Sequence, residues 1–131
     1  MSAKMSGHYS RDVRVNQSTV RERYQRIWAI VSGIPEGCVV TYGQLADMAG
    51  FPRGARFAGT ALRHTPDTLS LPWHRVINSR GESSFPQGSP AWKKQKMYLE
   101  REGVAFVNGR VDLQRYRWEP SLDEFLWKPR D

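Results

Sequence analysis

Few residues in this chain have side chains that could carry out catalysis or hold a metal ion. There are three histidines (His8, His64 and His74) and a single cysteine, Cys38. Their spacing matches no metal-ligand pattern, and the sequence contains neither a P-loop nor a dinucleotide-binding fingerprint. We therefore expect no metal and no cofactor. Because one thiol cannot form an intramolecular disulfide, the sequence also favours a reducing, cytoplasmic compartment.

The chain is strongly basic, with a formal net charge of +7 and an isoelectric point near 10.0. Residues 50–98 hold eight basic and two acidic side chains, so this window accounts for +6 of the net charge. Such an excess is typical of a surface that faces nucleic-acid phosphates. Simple solubilising charge is the alternative that composition alone leaves open.

A length of 131 residues fits one domain with a single modest core. No apolar run approaches the roughly 20 residues needed to span a bilayer, so we expect no membrane association. The first 17 residues are polar and lack the apolar segment of a secretory signal. We predict a flexible segment at 1–17, a domain over 18–118 and a C-terminal tail at 119–131.

Apolar residues at helical spacing predict a first helix over residues 19–32, with Ser18 or Thr19 as its N-cap. A short strand is predicted at residues 39–40. It leads into Thr41, a plausible N-cap for the next helix.

Two short helices follow, over residues 42–49 and 55–64, and a turn rich in glycine and proline joins them. Such a pair is a candidate helix-turn-helix. The second helix combines small residues with projecting arginines: Ala55, Ala58, Gly59 and Ala61, with Arg56 and Arg63. Small residues let a helix lie close to a neighbouring helix or to a DNA groove.

The rest of the pattern predicts a strand at residues 74–77, a helix at 92–102 and a hairpin around Asn108-Gly109. Asn-Gly between β-prone runs is the strongest short hairpin signal. A helix-turn-helix followed by a hairpin indicates a winged-helix arrangement. The predicted fold class is therefore α+β, mainly α: a winged helix-turn-helix DNA-binding domain with a small β-hairpin wing.

Four segments resemble, in order, the DNA-binding domain of the O6-alkylguanine-DNA alkyltransferases. They are residues 40–46 (VTYGQLA), 54–59 (GARFAG), 72–78 (PWHRVIN) and 99–104 (LEREGV). Each is weakly specific alone, but together they are highly specific. Where that family carries Pro-Cys-His-Arg-Val, Trp73 replaces the cysteine here. This replacement, and the sequence LQRYRW at residues 113–118, resemble the alkyltransferase-like proteins in particular.

The resemblance implies roles for residues of the two short helices. Tyr42 matches the tyrosine that crowds the phosphate 3′ of the target nucleotide. Arg56 matches the arginine that enters the duplex from the minor groove and fills the gap left by a flipped base. Ala55 and Gly59 would allow close approach to that groove, and Arg63 projects from the same helix. Without the resemblance, Tyr42 would be read as a packing tyrosine and Arg56 as a solvated arginine.

The resemblance also implies that Trp73 lines the pocket that receives the flipped base, where an aromatic wall is insensitive to alkyl size. An indole has no thiolate, so alkyl transfer cannot occur at this position. His74 and Glu102 match the pair that activates the cysteine in the active enzymes. Here we expect them to form a buried, hydrogen-bonded structural pair. Arg75 and Asn78 are expected to brace the turn that shapes the pocket.

The loop after Asn-Ser-Arg-Gly departs from the pattern of related proteins, which can carry an arginine there that faces the modified guanine. Residues 82–89 of this chain contain no basic residue. The sequence leaves two replacements open: Phe85 could stack on the lesion, or Arg80 could reach it.

The function implied is that of a monomeric, non-enzymatic sensor. It would bind double-stranded DNA containing O6-alkylguanine, flip the damaged nucleotide and direct the lesion to nucleotide excision repair proteins. It would be cytoplasmic, and nucleoid-associated or nuclear when bound to DNA. Three alternatives remain open: alkyl transfer to Cys38, a glycosylase-like activity of Glu102 and His74, and sequence-specific DNA binding by a winged helix.

Overall fold

The computed structural model describes residues 19–120, so the predicted segment 1–17 and the tail from residue 121 lie outside the described part. The α-helices are α1 (Val20–Ser32), α2 (Tyr42–Met48), α3 (Ala55–Arg63), α4 (Pro90–Arg101) and α5 (Leu113–Tyr116). The strands are β1 (Val40–Thr41), β2 (Val76–Ile77), β3 (Phe106–Val107) and β4 (Arg110–Val111), and a 3-10 helix spans Trp73–Arg75.

Side-chain caps fix the starts of the first two helices. Thr19 and Glu22 form a reciprocal capping box at the start of α1, in which each side chain accepts from the other residue's backbone N–H. Thr41 Oγ1 accepts from the backbone N–H of Gln44 at 3.1 Å and caps α2. These caps place both helices within a residue of their predicted starts.

Two hydrophobic clusters form the interior. The larger one joins α1, α2 and α3 with β1 and β2, and includes Ile27, Leu45 and Ala58. The smaller one lies under the C-terminal hairpin and includes Leu99 and Val111. The parallel pair β1–β2, with Val40 opposite Val76 and Thr41 opposite Ile77, links the two clusters.

The hairpin β3–β4 follows the sequence signal closely. Asn108 and Gly109 form its two-residue turn, and both have positive φ, of 55° and 78°. That combination is required by the type I′ turn, whose twist matches the flanking strands. The helix-turn-helix and this wing confirm the predicted winged-helix class.

The predicted strand at residues 74–77 is partly wrong. Only Val76 and Ile77 are extended, while residues 73–75 form a 3-10 turn in which the Arg75 N–H donates to the Pro72 carbonyl at 3.0 Å. The turn rotates successive side chains away from the alternation of a strand. Trp73 and His74 therefore point in directions that a strand would not give them.

Two smaller differences concern helix bounds. Helix α4 begins two residues before its predicted start because Ser89 caps it and Pro90 occupies its first turn. Backbone N–H groups in the first turn have no acceptor within the helix, so the missing N–H of a proline costs no hydrogen bond there. Helix α5 was not predicted. No helix within residues 19–120 is long and apolar enough to cross a membrane.

Candidate nucleic-acid interface

An open cavity of about 750 Å³ lies between the start of α2, one face of α3, the 3-10 turn and the loop at residues 82–89. Seven of the eight residues predicted to bind the lesion line it: Tyr42, Ala55, Arg56, Gly59, Arg63, Trp73 and Phe85. The sequence analysis missed three further lining residues, Thr60, Leu62 and Ser84. We call this space the Trp73 cavity.

Helix α3 uses its small residues on two faces. Ala58 and Ala61 are fully buried against the core, and the Trp28 Nε1–H donates to the Ala61 carbonyl at 2.7 Å. Ala55 and Gly59 instead line the Trp73 cavity. The two uses that the sequence left open, helix packing and groove approach, thus fall to different faces of the same helix.

The backbone does not require a glycine at position 59. A Cβ placed on Gly59 would have Tyr42 Cε1 at 3.8 Å as its nearest neighbour, an ordinary van der Waals distance. Gly59 lies inside a helix, where glycine costs about 0.5–1 kcal/mol relative to alanine. The folded chain alone gives no reason for that cost, and close approach of a ligand to α3 would give one.

The two cavity arginines are exposed and have no carboxylate partner within residues 19–120. Arg63 Nη2 donates to Thr60 Oγ1 at 3.1 Å, and that hydroxyl donates to the Arg56 carbonyl at 3.0 Å. These contacts hold Arg63 along α3 and leave the guanidinium of Arg56 available. Both can therefore contact an anionic ligand.

Tyr42 connects α2 to the loop at residues 82–89. Its hydroxyl lies 2.8 Å from Ser84 Oγ, a hydrogen bond between two lining residues of the cavity. Phe85, next to Ser84, is 36% exposed. The loop thus contributes an aromatic side chain to the cavity and is tied to the helix-turn-helix by one exposed hydrogen bond.

The indole of Trp73 is half-buried and contacts three other rings. Phe85 meets it edge-on at 5.8 Å between ring centroids, Tyr98 lies at 6.2 Å and His74 at 6.1 Å. No hydrogen bond within the described residues engages its Nε1–H, in contrast to that of Trp28. Trp73 therefore forms part of an aromatic wall and is not sealed within the core.

Behind this wall, Glu102 gathers a dense set of donors. His74 Nε2 lies 2.7 Å from Glu102 Oε2, Arg75 Nη2 donates to the same oxygen at 2.7 Å, and Arg75 Nε donates to Oε1 at 3.0 Å. The backbone N–H of Gly37 donates to Oε1 at 2.9 Å, and Arg75 Nη1 donates to the Ile34 carbonyl at 2.8 Å. We call these five residues the Glu102 node.

The node fixes the charge state of its carboxyl group. Burial raises the pKa of Glu102, but hydrogen bonds from Arg75, Gly37 and His74 outweigh it and lower the pKa from 4.5 to about 2. Glu102 is therefore a carboxylate at neutral pH. It joins the turn before β1, the 3-10 turn and the end of α4.

A buried amide supports the same turn, and sequence reasoning missed it. Gln95 on α4 is 1% exposed, and its Nε2 donates to the carbonyls of His74 and Val76 at 3.1 and 2.9 Å. A glutamine in a polar helix between lysines carries no sequence signal of burial.

Asn78 organises the turn that follows β2. Its Oδ1 accepts from the backbone N–H groups of Arg80 and Glu82, both at 2.9 Å. Gly81 is needed there, because it has φ of 80° and a Cβ would lie 2.4 Å from the Val111 carbonyl oxygen. The side chain of Asn78 thus sets the direction in which the loop departs.

Arg80 lies outside the lining of the Trp73 cavity. Its Nε donates to Glu82 Oε1 at 3.4 Å, and Arg110 of the wing donates to the other oxygen at 3.2 Å. Burial opposes ionisation of Glu82, but Arg110 and Arg80 outweigh it, and the pKa of Glu82 is lowered. Of the two replacements that the sequence left open, Phe85 is the one that lines the cavity.

Cys38, the remaining nucleophile candidate, lies on the turn before β1. It packs against the larger hydrophobic cluster and does not line the Trp73 cavity. Residues 19–120 contain no group of three or more histidine, cysteine or acidic side chains that could hold a metal ion.

Together these features define a class: a winged helix-turn-helix DNA-binding domain with an aromatic cavity beside its second helix. The chain belongs to the family of the 6-O-methylguanine DNA methyltransferase DNA-binding domain, whose family model matches residues 22–104. The resemblance identified from the four sequence segments is thereby confirmed.

Two relatives of known name are similar to this chain over most of its length. The DNA base-flipping protein of Escherichia coli is 48% identical over 95 residues, which cover 72% of each chain. Alkyltransferase-like protein 1 of Schizosaccharomyces pombe is 41% identical over 108 residues, covering 82% of this chain and 96% of the relative.

Solved structures agree with the fold. The crystal structure of S. pombe Atl1 in complex with damaged DNA containing O6-carboxymethylguanine is similar to this chain, with a TM-score of 0.71 and 38% sequence identity. The match covers 79% of this chain and 100% of that chain. A Mycobacterium tuberculosis protein, OGT, in complex with DNA gives a TM-score of 0.55 at 33% identity, covering 66% and 51%.

Proposed function

We propose that this protein recognises O6-alkylguanine in double-stranded DNA without catalysing a reaction on it. The observation that carries the proposal is an indole in the wall of an open cavity of about 750 Å³, beside two arginines that have no carboxylate partner within residues 19–120. Pockets of about 300–1,000 Å³ hold molecules of drug size, so a purine and its alkyl group have room. The names of the relatives, a base-flipping protein and an alkyltransferase-like protein, support the same function.

Recognition would proceed by nucleotide flipping. The damaged nucleotide rotates into the Trp73 cavity, where Trp73 and Phe85 offer apolar contact to the base and its alkyl group. Unstacking a base costs a few kcal/mol, and the guanidinium of Arg56 offsets part of that by filling the vacated space. Tyr42 would crowd the 3′ phosphate, releasing or retaining its hydrogen bond to Ser84.

Docking would occur in the minor groove. Ala55 and Gly59 on the open face of α3 permit the close approach that a narrow groove demands. Arg63 would contact the backbone phosphates, and the basic excess in residues 50–98 would strengthen binding at low salt.

We expect no catalysis because Trp73 occupies the position at which the alkyltransferases carry their nucleophilic cysteine. Trp73 cannot form a thiolate, so it cannot accept an alkyl group. The His74–Glu102 pair has no thiol to deprotonate, and its hydrogen bonds are used within the Glu102 node. The monomeric complex would instead mark the lesion for nucleotide excision repair proteins in the cytoplasm, the nucleoid or the nucleus.

The direct test is a titration of the full-length protein against two duplexes that differ in one O6-methyl group on a central guanine. We expect the modified duplex to bind at least about tenfold more tightly, which is about 1.4 kcal/mol. Equal affinities for the two duplexes would contradict damage recognition. Strong preference among undamaged sequences would favour the sequence-reader alternative.

The Cys38→Ser variant and an assay for released base test the two enzymatic alternatives, alkyl transfer to Cys38 and a glycosylase-like activity. If alkyl groups moved from DNA to the protein in the wild type but not in Cys38→Ser, Cys38 would be the acceptor. Release of free alkylated base would point to the glycosylase-like activity of Glu102 and His74. We expect neither, because Cys38 packs on the core outside the cavity.

A further inference from the structure

A second groove lies between the wing and α5, apart from the Trp73 cavity. Its volume is about 490 Å³, and none of its lining residues within the described part of the chain also lines the Trp73 cavity. Its lining combines apolar side chains with arginines, among them Ala105, Val107 and Leu113 with Arg80, Arg110 and Arg115. We call it the wing groove.

Val107 gives the wing groove an unusual apolar surface. It is 67% exposed, more than any other large hydrophobic side chain within residues 19–120. It pairs with Arg110 across the hairpin, so both side chains project from the same face, as does that of Ala105 two residues earlier. A rigid two-residue turn thus presents a valine beside a guanidinium.

The charges around the groove are unbalanced. Among residues 19–120, its lining holds three arginines and one carboxylate, Asp112, whose Oδ1 already accepts from the backbone N–H of Gln114 at 3.0 Å. The guanidinium of Arg115 lies 5.2 Å from the centre of the Tyr116 ring and has no carboxylate partner within the described residues. Glu82 holds Arg80 and Arg110 in place from outside the lining.

We propose that the wing groove binds an extended acidic segment of a partner protein, with an apolar side chain on Val107 and carboxylates at Arg110 and Arg115. Burial of exposed apolar surface and paired charges at the rim are typical of such interfaces. Nucleic acid fits less well, because phosphates would engage the arginines and leave Val107 exposed to water.

The wing groove and the Trp73 cavity are separate sites, so both can be occupied at the same time. Because none of residues 19–120 lines both sites, a partner can occupy the wing groove while DNA occupies the Trp73 cavity. The proposal does not depend on which lesion fills the cavity, and its test can fail while damage recognition stands.

The test uses ¹⁵N-labelled full-length protein and synthetic peptides. The probe is a blocked hexapeptide in which leucine and isoleucine alternate with aspartate and glutamate. One control peptide carries lysines in place of the acids, and another carries serines in place of the apolar residues. We expect the probe alone to shift the amide signals of Val107, Arg110 and Arg115. A duplex containing O6-methylguanine should shift those of Gly59 and Trp73 instead.

A matched pair of variants completes the test. Val107→Glu should weaken probe binding about tenfold or more, because it replaces the apolar contact with a negative charge that the acidic residues of the probe repel. Leu69→Glu makes the same change at another exposed apolar position, 41% exposed and outside the wing groove, and should leave probe binding within about twofold. Both variants should bind the lesion duplex like the wild type.

Several results would overturn the proposal. The serine-containing peptide binding as tightly as the probe would show general charge attraction. Shifts of the wing-groove amides by the lesion duplex would make the groove part of the DNA surface. If deletion of residues 121–131 by itself moved the same amides and created probe binding, the chain's own C-terminal segment would be the occupant.

Discussion

The Trp73 cavity and the Glu102 node lie next to one another on the two sides of a short 3-10 turn, but their polar groups are used in opposite ways. In the node, Glu102 accepts from His74, Arg75 and the backbone of Gly37 at 2.7–3.2 Å. In the cavity, the guanidinium of Arg56 and the indole N–H of Trp73 have no partner within residues 19–120.

The difference teaches which of the two regions is built for the fold and which for a ligand. A saturated, half-buried carboxylate contributes to stability and has no capacity left for a reacting molecule. Unpaired donors in an open cavity contribute little to stability and can be satisfied by a bound nucleotide. Substitutions should therefore separate the two regions cleanly, with the node affecting unfolding and the cavity affecting binding.

The largest effect is expected when the node loses its charge. Glu102→Gln keeps the side-chain shape but leaves Arg75 half-buried without its carboxylate, and should lower the free energy of unfolding by about 2–4 kcal/mol. Urea denaturation measures this. The matched control is Glu100→Gln, two residues earlier in the sequence, where an exposed i,i+4 pair with Lys96 should be worth about 0.5 kcal/mol or less. Equal losses in both variants would show that the node has no special role.

Acid should remove the same contribution in the wild type. The folded-state pKa of Glu102 is about 2, below its ordinary 4.5. Its contribution is therefore fully present above pH 4.5 and is lost as the pH falls from 4.5 towards 2. The stability difference between wild type and Glu102→Gln should shrink by about 1–3 kcal/mol over that window, after allowance for the part of the carboxyl that water reaches. A constant difference in urea denaturation across that pH range would contradict this assignment.

In the cavity, Arg56→Ala should weaken binding to the lesion duplex by about 1–3 kcal/mol. Its exposed side chain makes no ion pair with any residue between 19 and 120, so the free energy of unfolding should change by less than about 0.5 kcal/mol. Arg101→Ala, an exposed arginine at the end of α4, controls for lost charge alone. If both variants bound the lesion equally well, the role of Arg56 in base replacement would be wrong.

The smallest effects concern Gly59. Gly59→Ala should raise the free energy of unfolding by up to about 1 kcal/mol through helix propensity, because a Cβ there meets nothing closer than 3.8 Å. Lesion affinity should nevertheless fall about tenfold, since the methyl group blocks close approach of the groove. Gly43→Ala, where a Cβ meets nothing within 4 Å, is the control for propensity and should bind like the wild type. Unchanged affinity in Gly59→Ala would remove the need for close contact at α3.

The sequence predicted the elements that local signals determine. Asn108-Gly109 specified its turn through positive φ at both residues, and Thr41 specified the start of α2 through its side-chain cap. In both cases the residue type itself carries the physical reason. The contact between His74 Nε2 and Glu102 Oε2, at 2.7 Å, was expected only from the family resemblance, because the two residues lie 28 positions apart in the sequence.

The remainder depends on tertiary contacts that no local pattern records. A 3-10 turn forms at residues 73–75, where a strand was predicted to begin. The buried side-chain amide of Gln95 donates hydrogen bonds to the backbone carbonyls of His74 and Val76 in and after this turn. Ser84 reaches Tyr42 from 42 positions away. Helix α5 has four residues, too few for helical periodicity to appear.

The most direct test of non-enzymatic recognition follows the fate of the lesion itself. A duplex carrying a radiolabelled O6-methyl group would be saturated with the protein, released with high salt and separated from it. Reversible flipping predicts that all of the label returns with the DNA and that the recovered duplex binds again with the same affinity. Label retained on the denatured protein would mean that a bond to the alkyl carbon had formed, and the account of Trp73 as a binding wall would be wrong.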